Sequence, residues 1–233
     1  MLVSLVGGCA DPLVVGRIDG YTGILVDDLV SKGADEPYRM FTSRAEFRLH
    51  LRIDNADERL TPLGRKCGLV SDTRWALFLR KQEQKARLLR LVDETRMAAG
   101  KIDGVLVEGD DRPTLSVWLK RPENSILALR DWIRRELGEE PIGGVLTTVE
   151  TEVKYAGYIQ QQERQIVRLK GAEGRLIPTE FSYRGVPGLS REIQDKLERV
   201  RPENLGQVGR IPGVTPAAVA ILDVYLSVSR ESA

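Results

Sequence analysis

Two observations mark this chain of 233 residues as mainly α-helical. Beyond residue 60 the apolar residues recur at spacings of three and four, the period of a helix face. Ser, Thr and Pro stand ahead of those runs and Gly stands behind them, the usual start and stop signals. A hydrophobic content of 42% is enough for a proper core.

Residues 1–34 mix glycine with β-branched residues. Leu13-Val14-Val15 reads as a short strand or loop, followed by a helix through Ile24-Leu25-Val26 that ends near Gly33. This start is too small for an independent domain and reads as the edge of a larger body. Ser43-Arg44-Ala45-Glu46 is a capping box, with the Ser43 hydroxyl and the Glu46 carboxylate each reaching the other residue's backbone amide. It predicts a helix from Arg44, with Arg44, Arg48 and Arg52 forming one stripe every fourth residue. Thr61-Pro62 predicts a second helix start, with Gly68 as its end.

Asp72 to Ala99 reads as one long helix capped by Ser71, with Trp75, Phe78, Gln82, Lys85, Leu89 and Val92 on one face. Gly100 to Arg112 is polar and reads as a loop, in which Val105-Leu106-Val107 offers a short strand. Leu115–Lys120 and Ser125–Leu137 read as short helices separated by Arg121-Pro122. From Val145 to Leu169 the apolar spacing predicts one long amphipathic helix, imperfect at one position. Gly171 to Pro187 is a connector. Ser190, Pro202 and Thr215-Pro216 then begin three short helices. No internal repeat or low-complexity segment is present.

With 35 basic and 34 acidic residues, net charge gives no global reason to bind nucleic acid, so a basic surface must be local. Two cysteines, Cys9 and Cys67, make no disulfide framework, and the single His50 supports no His-rich metal site. A reduced, cytosolic setting fits best. No apolar stretch approaches the ~20 residues of a membrane span. Leu5-Val6-Gly7-Gly8-Cys9 is faintly like a lipoprotein cleavage site. Its apolar part is very short and no basic residue precedes it, so no leader is expected.

The densest chemistry lies between Tyr38 and Arg52, where four arginines accompany one glutamate. Arginine pairs with phosphate in bidentate fashion and stacks on exposed bases, which suits a folded RNA. The alternative is a solvated helix face, or arginines paired with Asp54, Asp57 and Glu58. That acidic group reads as a salt-bridged turn rather than a divalent cation site. Cys67 has no nearby His to activate it and reads as packing. Gly7-Gly8 is no dinucleotide fingerprint, and no Gly-x-Gly-x-x-Gly turn occurs anywhere, which argues against a self-sufficient flavin or nicotinamide site. Near the C-terminus, Arg210-Ile211-Pro212-Gly213-Val214-Thr215-Pro216 joins two helices. It reads as a helix-hairpin-helix turn that could hold phosphates, or as a tight hairpin docking on neighbours or a partner.

Three blocks carry a family resemblance. The first is Asp11-Pro12 to Arg17 and Tyr21-Thr22-Gly23-Ile24-Leu25-Val26-Asp27-Asp28-Leu29 to Gly33. The second is Asp35-Glu36-Pro37-Tyr38-Arg39-Met40-Phe41-Thr42-Ser43-Arg44-Ala45-Glu46-Phe47-Arg48-Leu49-His50-Leu51-Arg52, running on to Gly68-Leu69-Val70. The third is Tyr155-Ala156-Gly157-Tyr158-Ile159, then Pro178, Tyr183, Gly188-Leu189-Ser190, Lys196-Leu197, Arg201-Pro202, Gly206-Gln207 and Arg210 to Ala218. In order and spacing the chain resembles the C-terminal part of the MnmG (GidA) family, flavoproteins that modify the tRNA wobble uridine.

The resemblance implies a helical bundle behind a short remnant of an α/β flavin-binding domain. It implies three regions: 1–60 as the edge of the FAD domain with an arginine-rich tRNA-facing segment, 61–150 as a helical domain, and 151–233 as a helical subdomain for partner docking. Arg39, Arg44, Arg48 and Arg52 become tRNA candidates, and Arg210, Gly213 and Thr215 become candidates for docking the GTPase MnmE. Family members use FAD and NADH, form homodimers and are cytoplasmic. Their cofactor sites and reactive cysteines lie outside the matching region, so no catalytic residue, cofactor or metal is expected here. Two other arrangements fit the sequence: one subunit of a split flavoenzyme, or a helical adaptor that binds protein only. Residues 1–10 depart from the family, and 100–144 resemble it least.

Overall fold

The computed structural model describes residues 13–33, 37–97 and 112–231. Among these there is no strand, only single bridge pairs at Arg96–Thr114 and Leu176–Asn204. Leu13–Val15 has no regular structure, so the strand expected there is not formed. The chain divides into two compact units. One holds the described residues of 13–15 and 47–161, the other those of 16–46 and 162–231.

In the first unit, α2 (Ala56–Lys66) precedes α3 (Asp72–Glu94). α2 starts well before Thr61 and carries Pro62 inside. Its start is set by Asp57 and Glu58 in the first turn, where acids favour the helix dipole. The same two acids pair with Lys81 and Lys85 of α3, each at 2.7 Å. Ser71 caps α3 as predicted, accepting from the Arg74 amide. The helix stops at Glu94, because Thr95 turns extended and its carbonyl accepts from the Leu115 amide at 2.8 Å. Its inward residues are Gln84, Leu88 and Val92. Of the predicted face only Val92 is fully buried, while Trp75 and Phe78 stack on each other at 5.2 Å. Gln84 belongs inside because it donates to the Glu140 carbonyl and accepts from the Ile142 amide. The predicted strand at Val105–Val107 lies outside the described residues.

Leu88 and Val92 pack with α4 (Leu115–Leu119), α5 (Arg130–Leu137) and α6 (Val145–Lys154). Trp118, Ile133 and Val149 are the corresponding core residues of those helices. The long helix expected over Val145–Leu169 is two helices, α6 and α7 (Ala156–Glu173). They separate at Tyr155, whose backbone leaves the helical region at φ −107°, ψ 17°.

In the second unit, α1 (Tyr21–Lys32) ends at Gly33, where a φ of +72° lets the amide close on the Leu29 carbonyl. α8 (Arg191–Val200), α9 (Leu205–Arg210) and α10 (Pro216–Glu231) complete it. Ser190 caps α8 and Thr215 caps α10, as the sequence signals indicate. α9 starts three residues after Pro202, with Asn204 as its cap. Their core is built on Tyr183, Leu197, Val208 and Leu222. No helix among the described residues is long and apolar enough to cross a membrane.

Candidate nucleic-acid interface and the helix-end turn

The predicted arginine helix does not form. Thr42–Arg44 is one turn of 3-10 helix, and Ala45 is extended at φ −88°, ψ 118°. The capping box fails because Glu46 is taken elsewhere: its carboxylate binds Arg17 at 2.6 Å. Burial of both Ala45 and Phe47 also suits an irregular segment better than a helix with one wet face.

The four arginines therefore have separate environments. Arg39 is exposed, with its guanidinium 5.1 Å from the Phe41 ring centroid. Arg44 lies 4.6 Å from the Tyr38 centroid and 3.4 Å from Asp28. These two pairs belong to the second unit. Arg48 and Arg52 belong to the first. Arg48 is exposed and makes no ion pair among the described residues. Arg52 is largely enclosed, pairing with Asp54 at 3.0 Å and with Glu152 at 3.9 Å. Burial opposes the Asp54 charge, but the Arg52 hydrogen bond and charge outweigh it and hold the carboxyl below its usual range. Asp54, Asp57 and Glu58 are thus each paired with a cation: Arg52, Lys81 and Lys85. Burial likewise opposes the Lys85 charge, and bonds to Glu152 and Glu58 more than restore it, leaving its pKa raised.

Sequence reasoning passed over the centre of the second unit. Arg17 is 3% exposed at its side chain and pairs with Asp27 at 3.1 Å, Asp28 at 2.8 Å and Glu46. Burial works against its charge, yet the bonds from Glu46 and Asp28 prevail and raise its pKa. Asp28 also accepts the Tyr38 phenol at 2.8 Å. A signal existed: Asp27-Asp28 interrupts an apolar helix, so one acid had to turn toward the interior and require a cation.

The 210–215 turn is braced by ion pairs. Arg210 grips Asp27 and reaches Glu173 at 3.2 Å. Gly213 and Thr215 are exposed, and Gly213 has a φ of +85° that favours glycine. On α10 and the segment before α8, Pro187, Ala220, Ile221, Val224 and Tyr225 line an open apolar groove of about 430 Å³.

The described residues contain no strand and so no strand–glycine-rich turn–helix dinucleotide motif.

Comparison with known proteins places the chain among the C-terminal helical parts of tRNA-modifying enzymes. Residues 72–163 match the model of the MnmG/GidA C-terminal helical domain, and 165–233 match that of the MnmG/GidA C-terminal helical bundle. The chain belongs to the MnmG/GidA family. It is 44% identical over 221 residues to the tRNA uridine 5-carboxymethylaminomethyl modification enzyme MnmG of Syntrophotalea carbinolica, covering 92% of this chain and 35% of that protein. Among solved structures it is similar to Aquifex aeolicus GidA in two crystal forms, at 33% identity and TM-scores of 0.75 and 0.71. Each match covers 93% of this chain and 34% or 33% of the other. The chain thus spans about a third of the length of these relatives.

Proposed function

We propose that this chain is the tRNA-positioning and partner-recruiting portion of a wobble-uridine modification enzyme, without catalysis of its own. The observation that carries the RNA half is the pair of exposed arginine–aromatic contacts, Arg39 on Phe41 and Arg44 on Tyr38. A guanidinium backed by a ring can bind phosphate through its edge and a base through its outer face. Arg48 adds an exposed charge. Arg52 contributes indirectly, by holding the segment in place. In the whole enzyme, FAD and NADH would supply the redox chemistry from outside the described residues, in a cytoplasmic homodimer.

The partner half of the reading rests on the apolar groove lined by α10, the helix that Thr215 caps, with an MnmE-like GTPase as the occupant. Gly213 and Thr215 are the reachable part of the turn, and Arg210 braces it from within. A helical adaptor that binds protein alone is the second reading, favoured by the enclosure of Arg52 and Arg210.

The test is tRNA binding by the purified chain over a salt series, beside the Arg44→Ala/Arg48→Ala double variant. Affinity should fall with salt, and the variant should flatten the log–log slope by roughly two. No binding at low salt would overturn the RNA half and favour the adaptor.

A further inference from the structure

We propose that Asp28 is a positioning residue for the Tyr38–Arg44 pair, an inference that rests on the reading of this arm as RNA-facing. Asp28 is 2% exposed at its side chain, whereas Arg44 is 38% exposed. The two carboxylate oxygens have different tasks. Oδ1 accepts from the enclosed Arg17 at 2.8 Å. Oδ2 accepts the Tyr38 phenol at 2.8 Å and Arg44 Nη1 at 3.4 Å. Arg17 also donates to the Arg44 backbone carbonyl at 3.4 Å. One buried ion pair therefore fixes the ring, the guanidinium above it and the backbone that carries the guanidinium. A side chain ordered in advance loses less conformational freedom when it meets its ligand.

Charge alone predicts the opposite role. A carboxylate beside a phosphate-binding arginine repels the ligand, so Asp28→Asn should tighten RNA binding if only the field matters. If Asp28 orders the pair, the same change should weaken binding. The direction of the effect separates the two.

The experiment compares the full chain with Asp28→Asn, Tyr38→Phe and Arg44→Ala, using unmodified tRNA as the probe. A second readout needs no RNA: the upfield ring-current shift of the Arg44 δ protons above Tyr38, by nuclear magnetic resonance. Asp28→Asn should weaken tRNA binding about three- to tenfold and abolish the shift. Tyr38→Phe keeps the ring but loses the phenol, and should weaken binding about two- to fivefold. Equal or tighter binding by Asp28→Asn, or a persistent ring-current shift in it, would overturn the inference. Should Asp28→Asn fail to fold, Tyr38→Phe decides, and unchanged affinity in that variant overturns it. Wild-type binding that is absent, or indifferent to Arg44→Ala, would instead overturn the RNA-facing reading on which the inference depends.

Discussion

Arg210 on α9 holds Asp27 on α1 through two contacts, 2.8 Å from Nε and 3.0 Å from Nη2, across 183 residues of sequence. Both side chains are mostly enclosed, so the pair ties the first helix of the second unit to the last hairpin. Removing Arg210 leaves Asp27 with Arg17 alone, at 3.1 Å, and takes the cation from Glu173, and thinning the compensation of an enclosed charge is costly. Arg210→Ala should lower stability by about 2–4 kcal/mol. In urea unfolding the midpoint should fall with the slope unchanged. Arg210→Lys should recover only part, since an ammonium cannot reproduce the forked contact.

Tyr183 supplies a prediction at alkaline pH. It is 1% exposed, and burial pushes its phenol up to about 12, with Glu198 pushing the same way and Arg201 pulling down. The unfolded chain ionises near 10.0 while the folded chain does not, so stability is full below that value and declines as pH rises toward 12. The loss should be about 2 kcal/mol across that window. Tyr183→Phe removes the titrating group and, among the described residues, one long phenol bond, 3.5 Å to the Pro202 carbonyl. Stability measured at several pH values in both chains should show wild type falling relative to Tyr183→Phe as pH rises from 10.0 toward about 12. Other titrations, Lys85 included, cancel in that comparison.

The register of α3 tests how far a periodic pattern can be read. Local signals were legible: Ser71, Ser190, Thr215 and Gly33 act where their neighbours say they should, because a cap involves residues three or four apart. The inward face of α3 was shifted. Its first half presents apolar residues on several sides, and the winning face is decided by distant partners such as Ile142, which binds Gln84. Leu88 is fully buried, while Leu79 is 50% exposed. Leu88→Ala should cost about 2–5 kcal/mol. Leu79→Ala should stay within about 0.5 kcal/mol. Thermal denaturation of Leu88→Ala distinguishes this face from the sequence-predicted one, which omits Leu88, and Leu79→Ala is the exposed control.

The arginine segment was the least legible part, for the same reason in sharper form. Ser43 and Glu46 satisfy every local condition for a capping box, and Arg17, 29 residues earlier, removes Glu46 from it. A local bond among exposed groups contributes about 0.5–1.5 kcal/mol. Satisfying a buried guanidinium is worth more, so the tertiary pair wins.

The competition between these two arrangements can be measured directly at the two residues. If the capping box existed, Ser43→Ala would cost about 1 kcal/mol. In the structure Ser43 is exposed in a single 3-10 turn with no side-chain cap bond, so Ser43→Ala should be neutral. Glu46→Ala should behave differently. It leaves Arg17 enclosed with Asp27 and Asp28, having lost the 2.6 Å contact. Glu46 is itself 45% exposed, which tempers the loss to about 1–2 kcal/mol. Arg17→Met should then make Glu46→Ala nearly silent, because the carboxylate has no remaining role. Equal costs for Ser43→Ala and Glu46→Ala, independent of Arg17, would restore the helix that the capping box predicts.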